Sequence, residues 1–436
     1  MPSIALRSRL GHAGPRPRMK RYALPLIDQV VVAAFNLVLQ LVLVRFASAE
    51  DYGTFVLWQA LVMVMVGFQD AMIGLPLSVR IPYEPGSRRR FVLERQVATF
   101  TGLFVAAAAC LFLIGVSLAY GAVVWLAPAQ AVFALTFLTY YAVRYLAQSR
   151  AKFGAALAMD SAYAVLALGA VAGLVFADAV RLVPVFLGLS LPAVVAAVVG
   201  LAMLDRPPAI RFRRMLSGYR EIWRDSRWTV VAVAASEMQN RAFVFIISAF
   251  YGPAVLAGIF AGNLVLRHLV MLVLAWKAFA RPFVATMRNA GDYRGLVRFC
   301  AVSGLVLVGV YVVNLAVVSV AWPLFETYIY AGKYENMLPV VRVWTLINAL
   351  QVPMVILALM LTTLGRYRAD SFAVMIGSVV TLTGVTLLAK FVSADATLFG
   401  AGLGYVVTAA IMAYTVRGEL ARRRAGARLA AAAEAA

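Results

Sequence analysis

The 436-residue sequence contains few charged residues, cysteines and histidines. Only 14% of its residues are charged, whereas 63% are hydrophobic, which is far from the balance of an ordinary soluble protein. The two cysteines, Cys110 and Cys300, offer neither a disulfide framework nor a metal-ligand spacing. The two histidines, His12 and His268, are too few for the usual metal clusters. We therefore expect neither a metal nor a cofactor.

Motifs of enzymatic phosphate chemistry are absent as well. The sequence contains no glycine-rich phosphate loop followed by lysine, so it does not encode ATP hydrolysis. The longest connection predicted on the outer side, residues 321–337, leaves no room for a separate catalytic domain. The sequence thus predicts a protein that is not an enzyme.

Long apolar runs make up most of the chain. Each is long enough to cross about 30 Å of hydrocarbon, which predicts an all-α polytopic membrane protein. Twelve transmembrane helices are expected, six in each half of the chain. The predicted spans are residues 24–44, 54–79, 97–118, 121–143, 154–176, 182–204, 228–249, 252–275, 299–321, 338–362, 371–391 and 396–416.

A basic connection divides these spans into two lobes. Residues 205–227 form the longest inside connection and resemble a hinge between two parallel six-span repeats. "FASAEDYGTF" and "YGPAVLAGIF" follow the first span of each half and align Gly53 with Gly258. The expected organisation is a basic tail (1–23), an N-lobe (24–204), the linker (205–227), a C-lobe (228–416) and a C-terminal tail (417–436).

The net charge of +21 follows from membrane topology. With the N-terminus inside, the outer connections contain only Arg45, Arg181 and Lys333 out of 40 Lys and Arg residues. This asymmetry matches the positive-inside rule and predicts that both termini are cytoplasmic. The basic residues favour contact with anionic membrane lipids and not with nucleic acid.

The first span carries a polar stripe. Gln29, Asn36 and Gln40 fall within about 40° of one another on a helix, with Asp28 on the flank. An ionisable residue near the bilayer centre costs about 2.5–3.5 kcal/mol, so polar residues in a span normally face a partner or a water-filled cavity. The stripe is therefore a candidate lining of such a cavity.

The seventh span carries Glu237 and Arg241 one helical turn apart, about halfway across the bilayer, beside Asn240. The pair has two interpretations. It is either an internal ion pair that neutralises itself for insertion, or part of a cavity in which Arg241 meets an anionic substrate. Both remain open from the sequence.

The eighth span adds a second basic position. Asn263 and Arg267 are expected on one face of a continuous helix, with His268 adjacent. Arg267 is too deep to reach the membrane surface easily, which favours a cavity position over a structural one. His268 is either a protonation switch or a packed hydrogen-bonding residue.

Asp70 lies toward the inner end of the second span, where Gly74 and Pro76 are expected to break the helix. It is either the partner of a cytoplasmic arginine or part of an inner gate. The same two interpretations apply to Asp160. Arg342 and Lys390 lie near the outer ends of their spans and are expected to extend to the membrane surface.

The opening of the chain resembles the bacterial polysaccharide flippases of the multidrug/oligosaccharidyl-lipid/polysaccharide exporter superfamily. The similarity covers the polar first span and "VRFASAEDYGTF", in which Arg45, Glu50, Asp51, Tyr52 and Gly53 fit the family's pattern. Val44 and Ser48 stand where the family commonly has Ala and Gly. The twelve spans in two lobes agree with the family over the whole chain.

The resemblance implies two lobes around a central hydrophilic cavity that opens alternately to each side. The implied substrate is undecaprenyl-pyrophosphate-linked oligosaccharide for capsule, exopolysaccharide or O-antigen, carried across the bacterial inner membrane. Arg241 and Arg267 would meet the pyrophosphate, and the other polar residues would line the cavity. The lining residues would be Asn240, Asn263, His268, Gln29, Asn36 and Gln40.

The resemblance also implies coupling to an ion gradient and further protein partners. Asp28, Glu237 or Asp70 would couple translocation to a proton or sodium gradient through changes in pairing. Polysaccharide polymerase and export machinery are possible partners. Two alternatives remain: a multidrug or cation exporter of the same superfamily, which would favour acidic cavity residues, and a membrane-embedded polysaccharide polymerase or ligase.

Overall fold

The computed structural model describes residues 20–80, 87–120, 125–204, 215–334 and 337–435. Within these ranges all regular secondary structure is helical, and twelve helices are long and apolar enough to cross a membrane. The predicted fold class is confirmed, and the chain is a multi-pass membrane protein. Residues 1–19 of the predicted N-terminal tail and residues 205–214 of the predicted linker lie outside the described residues.

Seven helices form the first lobe, called the N-lobe below. Asp70–Gly74 is a π-helical turn between the second and third helices, so these three segments make a single span. The helices are α1 (Lys20–Phe46), α2 (Ala49–Gln69), α3 (Leu75–Arg80), α4 (Ser87–Tyr120), α5 (Leu126–Ser149), α6 (Phe153–Phe176) and α7 (Leu182–Ala202).

Seven helices also form the second lobe, called the C-lobe below. One of them, α9, is too short to span a membrane by itself. The helices are α8 (Met215–Tyr251), α9 (Pro253–Leu264), α10 (Arg267–Asn289), α11 (Tyr293–Leu324), α12 (Leu338–Thr363), α13 (Tyr367–Phe391) and α14 (Thr397–Ala435).

Each lobe packs around its own helices. In the N-lobe, α7 packs against α5 and α6, while α4 packs on α5 and α1 on α6. In the C-lobe, α13 packs against α8 and α14, and α12 packs against α14 and α11. The main contacts between the lobes join α2 to α8 and α9. We call the end of the bundle with the Phe46–Ala49 connection the outer end, and the opposite one the inner end.

The second span of the N-lobe is widened where the sequence predicts a break. A π-helical turn runs from Asp70 to Gly74, and the backbone N–H of Leu75 donates to the Asp70 carbonyl. The helix then continues as α3. A wider turn directly before Pro76 accommodates its ring and its missing N–H without ending the helix. The predicted break is therefore a local bulge.

The second span of the C-lobe is interrupted where no break is predicted. A turn at Val265 and Leu266 separates α9 from α10, and the spanning helix is Arg267–Asn289. The prediction of one continuous helix over 252–275 is therefore wrong. Neither glycine nor proline stands at the interruption, and the buried side chain of Leu266 shows that tertiary packing fixes it.

Two other boundaries differ from the prediction. The outer connection after α11 is shorter than 321–337, because α11 and a π-helical segment, Phe325–Ile329, continue the helix to Ile329. At the inner end, α8 begins at Met215, inside the predicted linker. Helices thus extend beyond the apolar runs at both ends, where hydropathy alone gives no boundary.

Candidate functional site

The two lobes are in close contact at the outer end. A Cβ atom built on Gly53 of α2 would lie 1.7 Å from the carbonyl oxygen of Pro253 in α9. Only glycine permits this approach of two backbones. Gly258, its counterpart in the aligned motif, has only an ordinary contact with Tyr334, at 3.9 Å from the same constructed atom. The motif therefore serves different purposes in the two lobes.

Hydrogen bonds between side chains and backbone join the lobes at the same end. Lys333 Nζ, in the connection after α11, donates to the carbonyls of Arg45 (2.6 Å) and Ala47 (3.0 Å) in the N-lobe. The Arg45 guanidinium donates in return to the Tyr328 carbonyl. Partial burial, and next the charge of Arg45, lower the pKa of Lys333 from its ordinary value. The outer end is closed in this structure.

The polar stripe of α1 divides into an exposed part and a buried part. Gln29 is exposed, and Asn36 is half-buried and donates to the Val32 carbonyl at 2.8 Å. Gln40 is only 1% exposed. Its Nε2 donates to Gln59 (2.6 Å), and its Oε1 accepts from the hydroxyl of Tyr52 (2.9 Å). In this conformation Gln40 joins α1 to α2 inside the N-lobe.

Asp28 belongs to a buried charge cluster. Arg144 of α5 donates to Asp28 of α1 at 2.6 Å and to Asp160 of α6 at 2.7 Å, and the Tyr140 hydroxyl also bonds Asp160. The three charged residues are 3%, 8% and 1% exposed for Asp28, Arg144 and Asp160. Below, these three residues are called the N-lobe triad. Asp160 therefore has an arginine partner, which is one of the two interpretations that the sequence leaves open for it.

Arg144 is the member of the N-lobe triad that is not predicted from the sequence. The predicted fourth span ends at residue 143, which assigns Arg144 to a cytoplasmic loop, whereas α5 continues to Ser149. A usable signal is the pattern in "YYAVRYLAQ", where Arg144 lies one turn after Tyr140 on an otherwise apolar helix.

Asp70 lies exposed in the π-helical turn. It has no ion pair with a described residue, and neither of its two predicted roles is decided. Gly74 leaves room for its carboxylate, since a Cβ there would lie 2.3 Å from Asp70 Oδ1. Asp70 therefore remains a residue with a free carboxylate within the described part of the chain.

The Glu237–Arg241 pair lies at the interface between the lobes. Arg241 Nε donates to Glu237 at 2.5 Å, and the side chains of Arg241 and Glu237 are 34% and 20% exposed. On the N-lobe side, a Cβ on Gly67 of α2 would lie 3.3 Å from Glu237, so α2 packs closely on this carboxylate.

Arg267 is the first residue of α10 and does not share a helix face with Asn263. The predicted i, i+4 relation between them is wrong because the chain turns at Val265 and Leu266. The Arg267 guanidinium lies 5.3 Å from the ring centre of Phe260. It lies within electrostatic range of Tyr52, in the N-lobe, and of Arg241. The two predicted arginines therefore belong to the same region of the lobe interface.

Arg267 differs from Arg144 and Arg241 in having no carboxylate partner among the residues that the structure describes. Arg241, by contrast, has Glu237, and Arg144 has Asp28 and Asp160. Among the described ranges, no Asp or Glu forms an ion pair with Arg267. A guanidinium at membrane depth without a counter-charge is costly, which makes it a candidate position for an anionic ligand.

His268 is oriented away from this position. Its Nε2 lies 3.0 Å from Asn314 Oδ1 of α11, and its side chain is exposed. This contact agrees with the reading of His268 as a packed hydrogen-bonding residue. Its predicted role in substrate binding stays a prediction.

Amide side chains connect four helices of the C-lobe. Asn348 of α12 donates to Asn263 of α9 at 3.2 Å, and Gln351 of α12 donates to Asn240 of α8 at 3.4 Å. The Tyr405 hydroxyl of α14 donates to the same Asn240 oxygen at 3.1 Å. We call these five residues the amide row. It includes two predicted site residues, Asn240 and Asn263.

Asn348 and Gln351 of the amide row are not among the site residues predicted from the sequence. Their signal is present in "INALQVP", where two amides stand three residues apart in an apolar span. It is weaker than that of an ionisable residue because a neutral amide costs less to insert. No group of three or more His, Cys, Asp or Glu suited to a metal is found among the residues that the structure describes.

Comparison with solved structures identifies the fold. No protein-family model matches the sequence, and no curated protein matches it either. An inward-facing multidrug resistance MATE transporter of the MOP superfamily superposes with a TM-score of 0.67 and 11% identity, covering 94% of this chain and 99% of that one. The lipid II flippase MurJ in an inward closed conformation gives 0.69 and 8%, covering 93% and 90%.

An outward-facing MATE transporter superposes with a TM-score of 0.62 and 13% identity, covering 93% of this chain and 96% of that one. The chain therefore shares the two-lobe fold of MATE transporters and of MurJ.

Proposed function

We propose that this protein is a flippase that carries undecaprenyl-pyrophosphate-linked oligosaccharide across the bacterial inner membrane by alternating access. The glycan would serve capsule, exopolysaccharide or O-antigen synthesis. The observation that carries the proposal is Arg267, a guanidinium at the lobe interface without a carboxylate partner among the described residues. The resemblance of the first two spans to polysaccharide flippases supports the same conclusion.

The proposed chemistry follows from the cost of moving a polar headgroup through hydrocarbon. A diphosphate and a chain of hydroxyl groups lose their water in the membrane, so protein groups must replace it. Arg267 and Arg241 would bind the diphosphate, because guanidinium groups match phosphate oxygens in charge and geometry. The lipid tail would remain in the bilayer. Gln29 and Asn36 would line the N-lobe side of the pathway.

The closed outer end defines the conformation from which loading would occur. With α2 held against α9 at Gly53, substrate would enter from the inner side. Reorientation would then require the contacts of Lys333 and Arg45 to open. Asp28, Glu237 and Asp70 remain candidates for coupling this step to protons or sodium ions, with Glu237 lying nearest to the proposed diphosphate position.

The positive-inside pattern supports a cytoplasmic location of both termini, with the basic residues in contact with anionic lipids. In this orientation the carrier would be released at the outer face. Polysaccharide polymerase and export machinery would then receive it.

The direct test is deletion of the gene in its own host. Surface polysaccharide should be lost while complete lipid-linked units accumulate on the inner face of the membrane. Complementation with Arg267→Gln or Arg241→Gln should leave the defect, because each variant loses a diphosphate contact. Arg342→Gln is the matched control, since Arg342 is exposed at the outer end of α12. Normal surface polysaccharide in the deletion strain would contradict the proposal.

A multidrug or cation exporter of the same fold is the second candidate. It is favoured by a cleft in the N-lobe that aromatic rings line beside Asp160, including Phe35, Tyr141 and Tyr163. Aromatic and acidic groups bind organic cations well. The bonding of Asp160 to Arg144 makes this candidate weaker. Unchanged polysaccharide with altered sensitivity to cationic drugs would favour it in the same deletion strain.

A further inference from the structure

The amide row crosses the C-lobe near the middle of the membrane. Asn263 and Asn348 link α9 to α12, while Gln351 and Tyr405 link α12 and α14 to Asn240 of α8. Each of these residues lies several turns from the outer end of its helix. Neutral polar groups at this depth require partners. The row is therefore a hydrogen-bonded connection between helices and not a polar patch at the membrane surface.

Part of the hydrogen-bonding capacity of the row is unused. An amide offers two N–H donors and an oxygen with two lone pairs. Asn240 is fully engaged, because its Nδ2 donates to Ser236 and its oxygen accepts from Gln351 and Tyr405. Among the described residues, no protein partner is found for Gln351 Oε1, Asn348 Oδ1 or Asn263 Nδ2. None of these three atoms is enclosed.

Two of the three residues with unused groups border a cavity. Asn348 and Gln351 line a space of about 90 Å³ between α10, α11 and α12, with Tyr311 on its far wall. A space of this size is large enough to hold water. The remaining walls are apolar, formed by valine and leucine side chains including Val270 and Leu274. The cavity therefore combines amides, a tyrosine and apolar surface.

The chemistry of the row differs from that of the arginines beside it. Amides carry no net charge and provide donors and acceptors together, which matches hydroxyl groups. A phosphate needs donors and positive charge, and Arg241 and Arg267 already provide these. Asn240 directly precedes Arg241 on α8 and accepts from the Tyr405 hydroxyl at 3.1 Å. A group bound at the row would thus lie next to a diphosphate bound at the arginines.

We propose that the amide row, through Asn348 and Gln351, binds hydroxyl groups of the sugar units next to the pyrophosphate. This inference rests on the proposed function and names the part of the site that recognises the glycan. The row would discriminate between glycans by the positions of their hydroxyl groups, because an unmatched amide in the membrane remains unpaired.

The test compares two ligands on purified protein in lipid nanodiscs. One is undecaprenyl pyrophosphate, and the other is the lipid-linked oligosaccharide fraction extracted from the deletion strain. Wild type should bind the glycan-bearing lipid more tightly. Gln351→Leu and Asn348→Leu should each lower the ratio of the two affinities about fivefold, the effect of roughly one lost hydrogen bond. Replacing an amide with leucine also favours membrane insertion, so the variants should fold.

Gln239→Leu is the matched control. Gln239 is a buried amide on the same helix as Asn240, but it donates to Thr408 at 2.8 Å, away from the cavity. This variant should keep the wild-type affinity ratio. Equal affinity of wild type for both ligands, or an unchanged ratio in both α12 variants, would overturn the inference while the proposed function stands. Failure of wild type to bind either ligand would overturn both.

Discussion

The two lobes share a helical plan, but their polar centres differ in burial and in pairing. In the N-lobe, Arg144 is bonded to two carboxylates, and the N-lobe triad is almost completely buried. In the C-lobe, Arg241 has one carboxylate partner and Arg267 has none among the described residues. The C-lobe groups are also partly exposed at the lobe interface. Buried charged side chains that each bond to a partner indicate a structural centre, whereas a partly exposed guanidinium without a carboxylate partner among the described residues indicates a binding site.

This difference has a physical basis. A buried ion pair is strongly destabilised when one partner is lost, because the remaining charge keeps its desolvation cost. Replacing an unpaired cation at an interface removes little interaction within the protein. It does remove the interaction of that cation with an anionic ligand. Stability and ligand affinity should therefore separate between the two lobes.

The largest effect on stability is expected from Arg144→Leu. It leaves Asp28 and Asp160 buried without their cation, which should lower the free energy of unfolding by about 3–5 kcal/mol. The readout is thermal unfolding of the purified protein in detergent. The triple change that adds Asp28→Asn and Asp160→Asn should restore part of the loss. A wild-type melting temperature for the single variant would show that the N-lobe triad is not a structural centre.

The next effect concerns the two glycines of the aligned motif. Gly53→Ala should prevent the outer approach of α2 to α9, since its Cβ would overlap the Pro253 carbonyl oxygen. Overpacking of this kind costs about 1–3 kcal/mol, here in the closed conformation. Gly258→Ala, in the other lobe, should behave like wild type.

Polysaccharide export by complemented cells measures both glycine variants. The expected order is a strong loss for Gly53→Ala and none for Gly258→Ala. Equal export by the two would mean that the close approach at Gly53 is not required for transport.

A smaller effect on stability is expected when one amide in each lobe is replaced. Gln40→Leu should cost about 1–3 kcal/mol of unfolding free energy, because it leaves the Tyr52 hydroxyl without its acceptor in a buried site. Gln351→Leu, at a half-exposed position, should change stability by less. Chemical denaturation of the two purified variants checks this order. The opposite order would contradict the view that the amide of Gln40 stabilises the N-lobe while the amide of Gln351 is available to a ligand.

The smallest effect is expected at the exposed outer contact. Lys333→Met removes two hydrogen bonds to N-lobe carbonyls, which should weaken outer closure by about 1 kcal/mol. Labelling of Ala47→Cys by a membrane-impermeant maleimide should become a few times faster, in a background without Cys110 and Cys300. Ala47 is buried when the outer end is closed. An unchanged labelling rate would show that Lys333 does not hold the lobes together.

The fold was predictable because hydropathy directly reports which helices cross a membrane. Twelve spans and their division into two lobes follow from apolar runs and from the even number in each half. The interruption at Val265 and Leu266 was not predictable, because no glycine, proline or polar residue stands there and tertiary packing produces it. Helix ends were also uncertain by several residues, which placed Arg144 outside its span.

The candidate site was predictable where charge lies deep in a span. Arg241, Arg267 and Glu237 stood out for this reason; the structure pairs Arg241 with Glu237 and places Arg267 within electrostatic range of Arg241. Neighbours across helices could not be found from one sequence. The partnership of Asp28 with Arg144 joins residues far apart in the chain. The contribution of α12 to the amide row depends in the same way on packing between helices.

Arg267 is proposed to bind the anionic headgroup and not to stabilise the fold. The measurement that tests this proposal most directly is the affinity of purified Arg267→Gln for undecaprenyl pyrophosphate, with its melting temperature determined on the same sample. We predict at least a tenfold loss of affinity, about 1.4 kcal/mol or more, with a melting temperature equal to or above that of wild type. Wild-type affinity in Arg267→Gln, or a large fall in its melting temperature, would contradict the account.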